Sequence, residues 1–208
     1  MVTPANASLN AAAAVSASEA SFSSDGCYRW FLRRRLATDG GCLIYIGLNP
    51  SRADGQRDDP TLRRLIGFTR QWGYQELVVL NLFARMSPSP AALLRVKDPI
   101  GVLNNVILNR WLHQWSRTSG LDLWCGWGVN GARWDRDQVV LEAILRLLPE
   151  RRRSVPDSPH PLMLGRTASG QPRHPLYAPR QACLHPFLWA DPEPIRHPVR
   201  TLKDVLPN

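Results

Sequence analysis

One stretch, residues 42–61 (CLIYIGLNPSRADGQRDDPT), constrains the fold more than any other part of the chain. It begins with five apolar residues of strand length, Cys42 to Ile46, and breaks at the polar GLNPS sequence that follows. Asp59 and Pro60 then have the residue types of a helix N-cap and a first helical position. The stretch predicts a buried strand, a polar loop and an amphipathic helix. The loop follows the strand's carboxyl end, where open α/β sheets bind ligands.

The polar loop carries the first candidate site residues. Gly47 would let the backbone approach a ligand closely, and Pro50 biases Asn49 toward an extended conformation. Asn49 is therefore a candidate for chemistry, and the alternative is a tight turn in which its side chain bonds to its own backbone. A helix cap explains Asp59, which leaves the role of Asp58 open, although capping is the alternative for both acids.

The rest of the chain alternates between apolar runs and helical periodicity. Further strands are predicted at residues 28–32, 76–83, 121–127 and 161–164, and helices at residues 60–74, 90–96, 99–117 and 130–148. This alternation predicts a single three-layer α/β/α domain with a mainly parallel four-stranded sheet. The domain is expected to span residues 25–190. The Ala/Ser-rich residues 1–24 are expected to be disordered, and residues 191–208 to form a proline-rich tail.

Polar or aromatic residues stand at other predicted strand ends. Asn81 lies in an apolar run, where it either ties two loops together or presents its amide to a ligand. Trp127 lies between two glycines and either covers a pocket or packs in the core. The polar loop after the fourth strand is long for a connector, which indicates function. Because parallel strands end at one edge of a sheet, we expect one pocket to be lined by Asn49, Asp58, Asn81, Trp127 and His174.

Composition narrows the classes of function. The formal net charge of +9 comes almost wholly from arginine, which suits a polyanionic partner such as nucleic acid, although codon bias would explain the arginines equally well. The four cysteines are far apart, so neither a disulfide framework nor a zinc site is expected, and no metal or cofactor is predicted. A leader pattern and a run of membrane-spanning length are both missing, which predicts a cytoplasmic protein with no membrane partner. Phosphate-loop, dinucleotide-binding and nucleophile-elbow motifs are also missing.

Several short signatures occur together in this chain. They are LNPS (48–51), AD (53–54), DDPT (58–61), NLFA (81–84) and RHPLY (173–177). In combination they resemble a bacterial domain-of-unknown-function family, domain of unknown function 1643, over about residues 28–177. This resemblance implies a family without implying an activity.

A weaker resemblance is to the mismatch-specific branch of the uracil-DNA glycosylase superfamily. The sequence GLNPS is similar to that branch's G-I-N-P-G loop, NLFARMS to its N-L-V-x-R-P-T strand end, and HPL to its late H-P-S loop. The resemblance implies a uracil-DNA-glycosylase-like fold. It also implies that Asn49 positions the attacking water, Asn81 reads the base edge and His174 stabilises the departing base. Ser51, Leu176 and the DDPT segment depart from the glycosylase pattern, which bears on uracil as the substrate.

Three functions are compatible with these observations. The first is N-glycosidic bond hydrolysis on a nucleobase or nucleoside in nucleic acid, with Asn49, Asp58 and His174 as catalytic residues. The ligand-binding residues would then be Gly47, Ser51, Asp54, Asn81, Phe83, Trp127 and Arg173. The second is a nucleic-acid or nucleotide-binding module without chemistry, whose arginines contact phosphates. The third is a protein-interaction or small-metabolite domain, in which Asp54, Asp58 and Asp59 could hold a divalent cation.

Overall fold

The computed structural model describes residues 18–51 and 59–188, and these form one sheet with helices on both faces. The strands are β1 (Ser18–Phe22), β2 (Arg29–Arg35), β3 (Cys42–Gly47), β4 (Glu76–Asn81), β5 (Leu121–Cys125), β6 (Leu162–Met163) and β7 (His185–Pro186). The helices are α1 (Pro60–Gln71), α2 (Pro90–Leu93), α3 (Asn104–Arg117) and α4 (Arg136–Ser154). Two 3-10 segments, Val129–Asp135 and Pro175–Tyr177, complete the described elements.

The sheet has seven strands in the order β1-β2-β4-β3-β5-β6-β7. Its centre, β4-β3-β5-β6, is parallel and corresponds to the four strands that the sequence predicts. The prediction of a mainly parallel four-stranded sheet is nevertheless wrong in extent, because β1, β2 and β7 pair antiparallel and make the sheet mixed. β1 and β7 are the edge strands of this sheet, and β2 lies between β1 and β4 with Trp30 and Leu32 buried.

The amino-terminal boundary also needs correction. Residues 1–24 are expected to be disordered, yet Ser18–Phe22 forms β1 and pairs with β2 along its length. The sequence of β1 carries little apolar character, so its pairing depends on backbone groups that the composition does not reveal. Residues 1–17 and 189–208 lie outside the described part, and so do residues 52–58 with the predicted site residues Asp54 and Asp58.

Helices enclose the sheet from both sides, and the alternation of strand side chains decides which helix each residue meets. Leu43 and Tyr45 of β3 pack in one buried cluster with the apolar face of α1. Ile44 and Ile46 point the other way and join a cluster that includes α3 and α4. A strand buried on both faces has no polar alternation, which explains why the continuous apolar runs predict the central strands correctly. Within the described residues, none of the helices is both long and apolar enough to cross a membrane.

The start of α1 follows the predicted capping chemistry. Asp59 has an extended backbone, its side chain accepts a hydrogen bond from the Leu62 N–H at 2.7 Å, and Pro60 occupies the first helical position. The predicted N-cap is therefore confirmed. The helix ends at Gln71, close to its predicted end, and Gly73 continues the chain with a φ of +77° that favours glycine.

The arginines at the end of α4 differ from expectation. Clustered arginines at a helix end usually face water, but the Arg151 side chain is wholly buried. Its guanidinium donates to the carbonyl oxygens of Trp115, Thr118 and Ser158 at 2.5–3.0 Å and contacts the Asp122 carboxylate at 3.2 Å. Arg151 is therefore a structural connector between α4, α3 and β5.

Candidate functional site

A small cavity lies at the carboxyl ends of β3 and β4, beneath the first turn of α1. Its volume is about 60 Å³. The polar part of its lining consists of Arg29, Asn49, Ser51, Asp59, Thr61, Asn81 and His174. The cavity occupies the edge of the sheet at which ligands of open α/β folds bind. It is therefore the candidate functional site.

Gly47 sets the width of the cavity at the end of β3, where it pairs in register with Asn81 of β4. A Cβ atom on Gly47 would lie 2.8 Å from a ring carbon of Tyr45 and 3.3 Å from the Asn81 Oδ1. Any larger residue would therefore push against both side chains. The sequence predicts that Gly47 lets the backbone approach a ligand closely, whereas here the glycine makes room for two side chains of the protein itself.

Asn81 presents its amide to the cavity. Its side chain lines the cavity, the residue is only 3% exposed, and its Nδ2 has no hydrogen-bond partner in the structure. Asn104, on α3, ties the neighbouring loop instead, because its Nδ2 donates to the Asn81 and Leu82 carbonyl oxygens at 3.2 and 2.9 Å. A buried amide group without a partner is costly, so the Asn81 Nδ2 is a donor available to a ligand.

Asn49 is held by the backbone around it. Its Nδ2 donates to the carbonyl oxygens of Pro50 at 3.0 Å and Ser87 at 3.2 Å. Both amide hydrogens are therefore used in joining two loops. This agrees with the alternative in which the Asn49 side chain bonds to backbone groups instead of a ligand. The side-chain Oδ1 is the atom with which Asn49 can serve a ligand, and it can only accept a hydrogen bond.

The carboxylate of Asp59 has structural partners. One oxygen caps α1, and the other accepts a hydrogen bond from the Ser51 hydroxyl. These contacts fix Ser51 at the cavity wall. Each carboxylate oxygen thus already accepts one hydrogen bond, and Asp59 also contributes its negative charge to the site.

His174 reaches the cavity from the loop that follows β6. The loop is attached on both sides, because Gly128 N–H donates to the Pro172 carbonyl at 2.9 Å and Arg64 on α1 donates to the Ala178 carbonyl at 2.5 Å. The Nδ1 of His174 accepts a hydrogen bond from the Leu176 N–H at 3.3 Å, so the proton of the neutral ring lies on Nε2.

The His174 ring is neutral at physiological pH. Burial lowers the pKa of His174 to about 4, and this effect exceeds the opposing attraction of Asp59. The ring therefore donates an Nε2–H hydrogen bond without carrying a full positive charge.

Arg29 is the cavity residue that sequence reasoning missed. It is 5% exposed, and its Nε has no hydrogen-bond partner. Burial lowers the pKa of Arg29 to about 10, so its guanidinium keeps its charge at neutral pH. We refer to Arg29, Asn81 and His174 together as the donor wall, because each lines this cavity and carries a hydrogen-bond donor.

A β-bulge brings Arg29 to this side of the sheet. In the pairing of β1 with β2, Ser21 is opposite Phe31 and Phe22 is opposite Arg29, which leaves Trp30 as an extra residue. An extra residue shifts the alternation of side chains by one, so Arg29 lies on the α1 face. The RWFLRRR sequence gives no signal for this bulge.

Other predicted site residues do not line the cavity. Trp127 is 1% exposed, packs against Phe187, and donates from its Nε1 to Gln171 at 2.7 Å. Phe83 is fully buried and packs edge-on against Trp134. The guanidinium of Arg173 donates to a carbonyl within its own loop. The pocket prediction thus brings together Asn49, Asn81 and His174 and is wrong for Trp127, whose ring packs in the core.

An open basic groove of about 560 Å³ runs along α1 beside the cavity. Its lining includes three arginines, Arg63, Arg64 and Arg180. Two of its lining residues adjoin the cavity in sequence. Pro60 follows the cavity residue Asp59, and Leu176 lies two positions beyond His174. The positively charged groove therefore adjoins the cavity at the beginning of α1.

No curated protein and no solved structure matches this chain. A family model described as "Protein of unknown function (DUF1643)" matches residues 29–176. The matched span begins at Arg29 and includes the whole donor wall. It covers more than half of the chain, so the protein belongs to the family described as protein of unknown function, DUF1643.

Proposed function

We propose that the protein hydrolyses the N-glycosidic bond of a nucleobase-bearing substrate and that the cavity receives the base. The observation that carries this proposal is the buried, unpartnered amide nitrogen of Asn81. An amide side chain offers a donor and an acceptor side by side, which matches the edge of a base that has been rotated out of a stack. Because no group among the described residues accepts a hydrogen bond from the Asn81 Nδ2, an acceptor on the base can do so.

The neighbouring side chains fit the chemistry of such a cleavage. Water adds its oxygen to the sugar carbon, the carbon–nitrogen bond breaks, and its electron pair leaves with the base. The Asn49 Oδ1 can accept a hydrogen bond from the water and orient it, since both of its amide hydrogens are already used. The His174 Nε2–H can donate to the base as negative charge develops on it. In the net reaction, the water provides one proton to the released base.

The basic groove beside the cavity supports a substrate that carries phosphates. Arginines are suited to phosphate oxygens because the guanidinium presents several donors in a fixed plane. A nucleotide whose base enters the cavity would leave its phosphates at the cavity mouth, next to the groove. Nucleic acid or a free nucleotide would satisfy this arrangement equally.

A second candidate function is binding of a nucleotide or nucleic acid without hydrolysis. One observation favours it: the Asp59 carboxylate is occupied by the α1 cap and the Ser51 hydroxyl, so among the described cavity residues no free carboxylate stands ready as a general base. The Asn49 amide nitrogen is likewise committed to loop carbonyls. Such a site would read a base and release it unchanged.

Incubation with DNA and RNA oligomers that carry assorted modified bases would separate the two functions. Free base would be detected by mass spectrometry, and binding by filter retention over a range of salt concentrations. Base release that Asn81→Ala and His174→Asn both abolish supports hydrolysis. Binding without release, weakened by Asn81→Ala, supports the second function. If no base is released and no binding depends on Asn81, the proposal is overturned.

A further inference from the structure

We propose that the donor wall is an anion site in which Arg29 provides the charge. This proposal rests on the proposed function for the nature of the anion, which would be the ring anion of the departing base. It adds a residue, Arg29, and a substrate property, namely a base that leaves as a stable anion. The shared chemistry is a singly charged, planar group whose edge carries hydrogen-bond acceptors.

The first argument is the burial of an arginine without a partner. Only 5% of the Arg29 surface is exposed, and its Nε makes no hydrogen bond. The ion pairs found among the described residues use Arg33, Arg117 and Arg151 instead. A buried guanidinium whose Nε makes no hydrogen bond and which forms no ion pair among the described residues lowers the stability of the free protein. A bound anion would remove that penalty, which gives the site an affinity for negative charge.

The second argument is that, among the described residues, no hydrogen bond or ion pair joins Arg29 to the carboxylate of the cavity. Asp59 attracts Arg29 electrostatically, but both of its oxygens accept other hydrogen bonds. Asp59 also stands at the amino terminus of α1, where the helix dipole compensates a negative charge. The guanidinium of Arg29 therefore keeps its hydrogen-bond donors for a ligand.

The third argument concerns the division of roles along the donor wall. His174 is neutral and supplies only a hydrogen bond, and the Asn81 amide is uncharged as well. Arg29 is then the member of the donor wall that carries a charge at neutral pH. When the bond to the sugar breaks, the electron pair passes to the base, which becomes negative. A fixed, buried cation stabilises that anion more than it stabilises the neutral base before cleavage.

The test measures binding of small probes to the full chain at pH 7 by isothermal titration. The ring probes are uracil, which is neutral, and 5-nitrouracil, whose more acidic ring N–H is ionised. Acetate and inorganic phosphate serve as anions without a ring. We expect 5-nitrouracil to bind about tenfold or more tightly than uracil, because a charge-assisted contact separates them. Arg29→Met should abolish that difference. Arg35→Met, the same change at an exposed position of β2, should preserve it.

The outcomes separate the anion site from the proposed function. Preference for 5-nitrouracil that depends on Arg29 supports both. Binding of acetate or phosphate through Arg29, with no binding of either ring, supports the anion site and contradicts the nucleobase substrate. Equal binding of the two rings, or no binding of any probe, overturns the anion site.

Thermal melting shows whether the variant is folded and gives an independent test. Methionine fills a similar volume without the unpaired charge, so Arg29→Met should melt at the same temperature as the wild type or higher when no anion is present. The bound anion should raise the melting temperature of the wild type and leave that of the variant unchanged. A variant that melts at a lower temperature, together with a wild type that no anion stabilises, would make Arg29 a structural residue and overturn the proposal.

Discussion

The depressed pKa of His174 makes protein stability depend on pH in a defined direction. Burial lowers this pKa from 6.5 to about 4 in the folded protein. Between these two values the unfolded chain binds a proton that the folded protein does not, so acid favours unfolding. The stabilisation is fully present above pH 6.5 and is lost as the pH falls toward 4. At pH 4 the loss amounts to about 3 kcal/mol, calculated from the two pKa values.

The variant His174→Asn isolates this effect. An asparagine Oδ1 can accept the same Leu176 N–H that the imidazole Nδ1 accepts, so the 3-10 segment keeps its cap while the titrating group disappears. Urea unfolding of both proteins at several pH values from 7 to 4 gives the free energy of unfolding for each. All other titrating groups are common to both proteins and cancel in the difference. We expect the wild type to lose about 3 kcal/mol more than the variant over this range.

Parallel curves for the two proteins would refute this reasoning. They would mean that the His174 ring takes up a proton in the folded state as easily as in the unfolded chain. The ring would then be solvated rather than enclosed by the cavity, and the donor wall would lose one of its members. The exposed His113, changed to asparagine in the same way, provides the control for replacing any histidine in this chain.

Three further predictions test the structural assignments by urea unfolding. Asp59→Ala should lower the free energy of unfolding by about 1 kcal/mol, because the α1 cap is lost. Asp59→Asn should keep most of the capping energy. Equal losses for the two variants would contradict a capping role. Gly131→Ala should cost about 1–3 kcal/mol because the added Cβ would collide with the Trp127 ring, while Gly67→Ala, which meets open space in α1, should stabilise by up to about 1 kcal/mol. A stable Gly131 variant would show that the ring has room to move. Arg151→Met should cost about 3 kcal/mol or more, because it leaves buried carbonyl groups without donors, and a change under about 1 kcal/mol would show that these groups reach water.

The fold is predictable from the sequence where side chains decide the structure. The strands β3, β4 and β5 are continuous apolar runs because both of their faces are buried, and such runs are visible in the sequence. The outer strands β1 and β7 depend on backbone pairing at the edges of the sheet, and their sequences carry no comparable pattern. The burial of Arg151 is not predictable, because charge alone does not reveal that α4 continues into a buried contact.

The site is predictable where strand order determines position. Asn49 and Asn81 follow or end neighbouring parallel strands, so their meeting follows from topology, and His174 joins them from the loop after β6. Trp127 also follows a parallel strand, but its ring turns into the core toward Gly131 and Gln171. Arg29 could not be found, because the bulge that places it depends on the pairing of β1 with β2.

The bulge at Trp30 makes the cavity depend on a strand that does not touch it. β1 lies at the edge of the sheet, and edge strands open more readily than central ones. When β1 detaches, the bulge loses its pairing on one side, and the Arg29 backbone keeps the hydrogen bond from its N–H to the Ala84 carbonyl at 3.0 Å. Fraying of residues 18–22 and occupancy of the cavity are therefore thermodynamically linked, so a ligand that contacts Arg29 should slow amide hydrogen exchange in β1. Residues 18–22 thus help to position the Arg29 side chain, although they do not line the cavity.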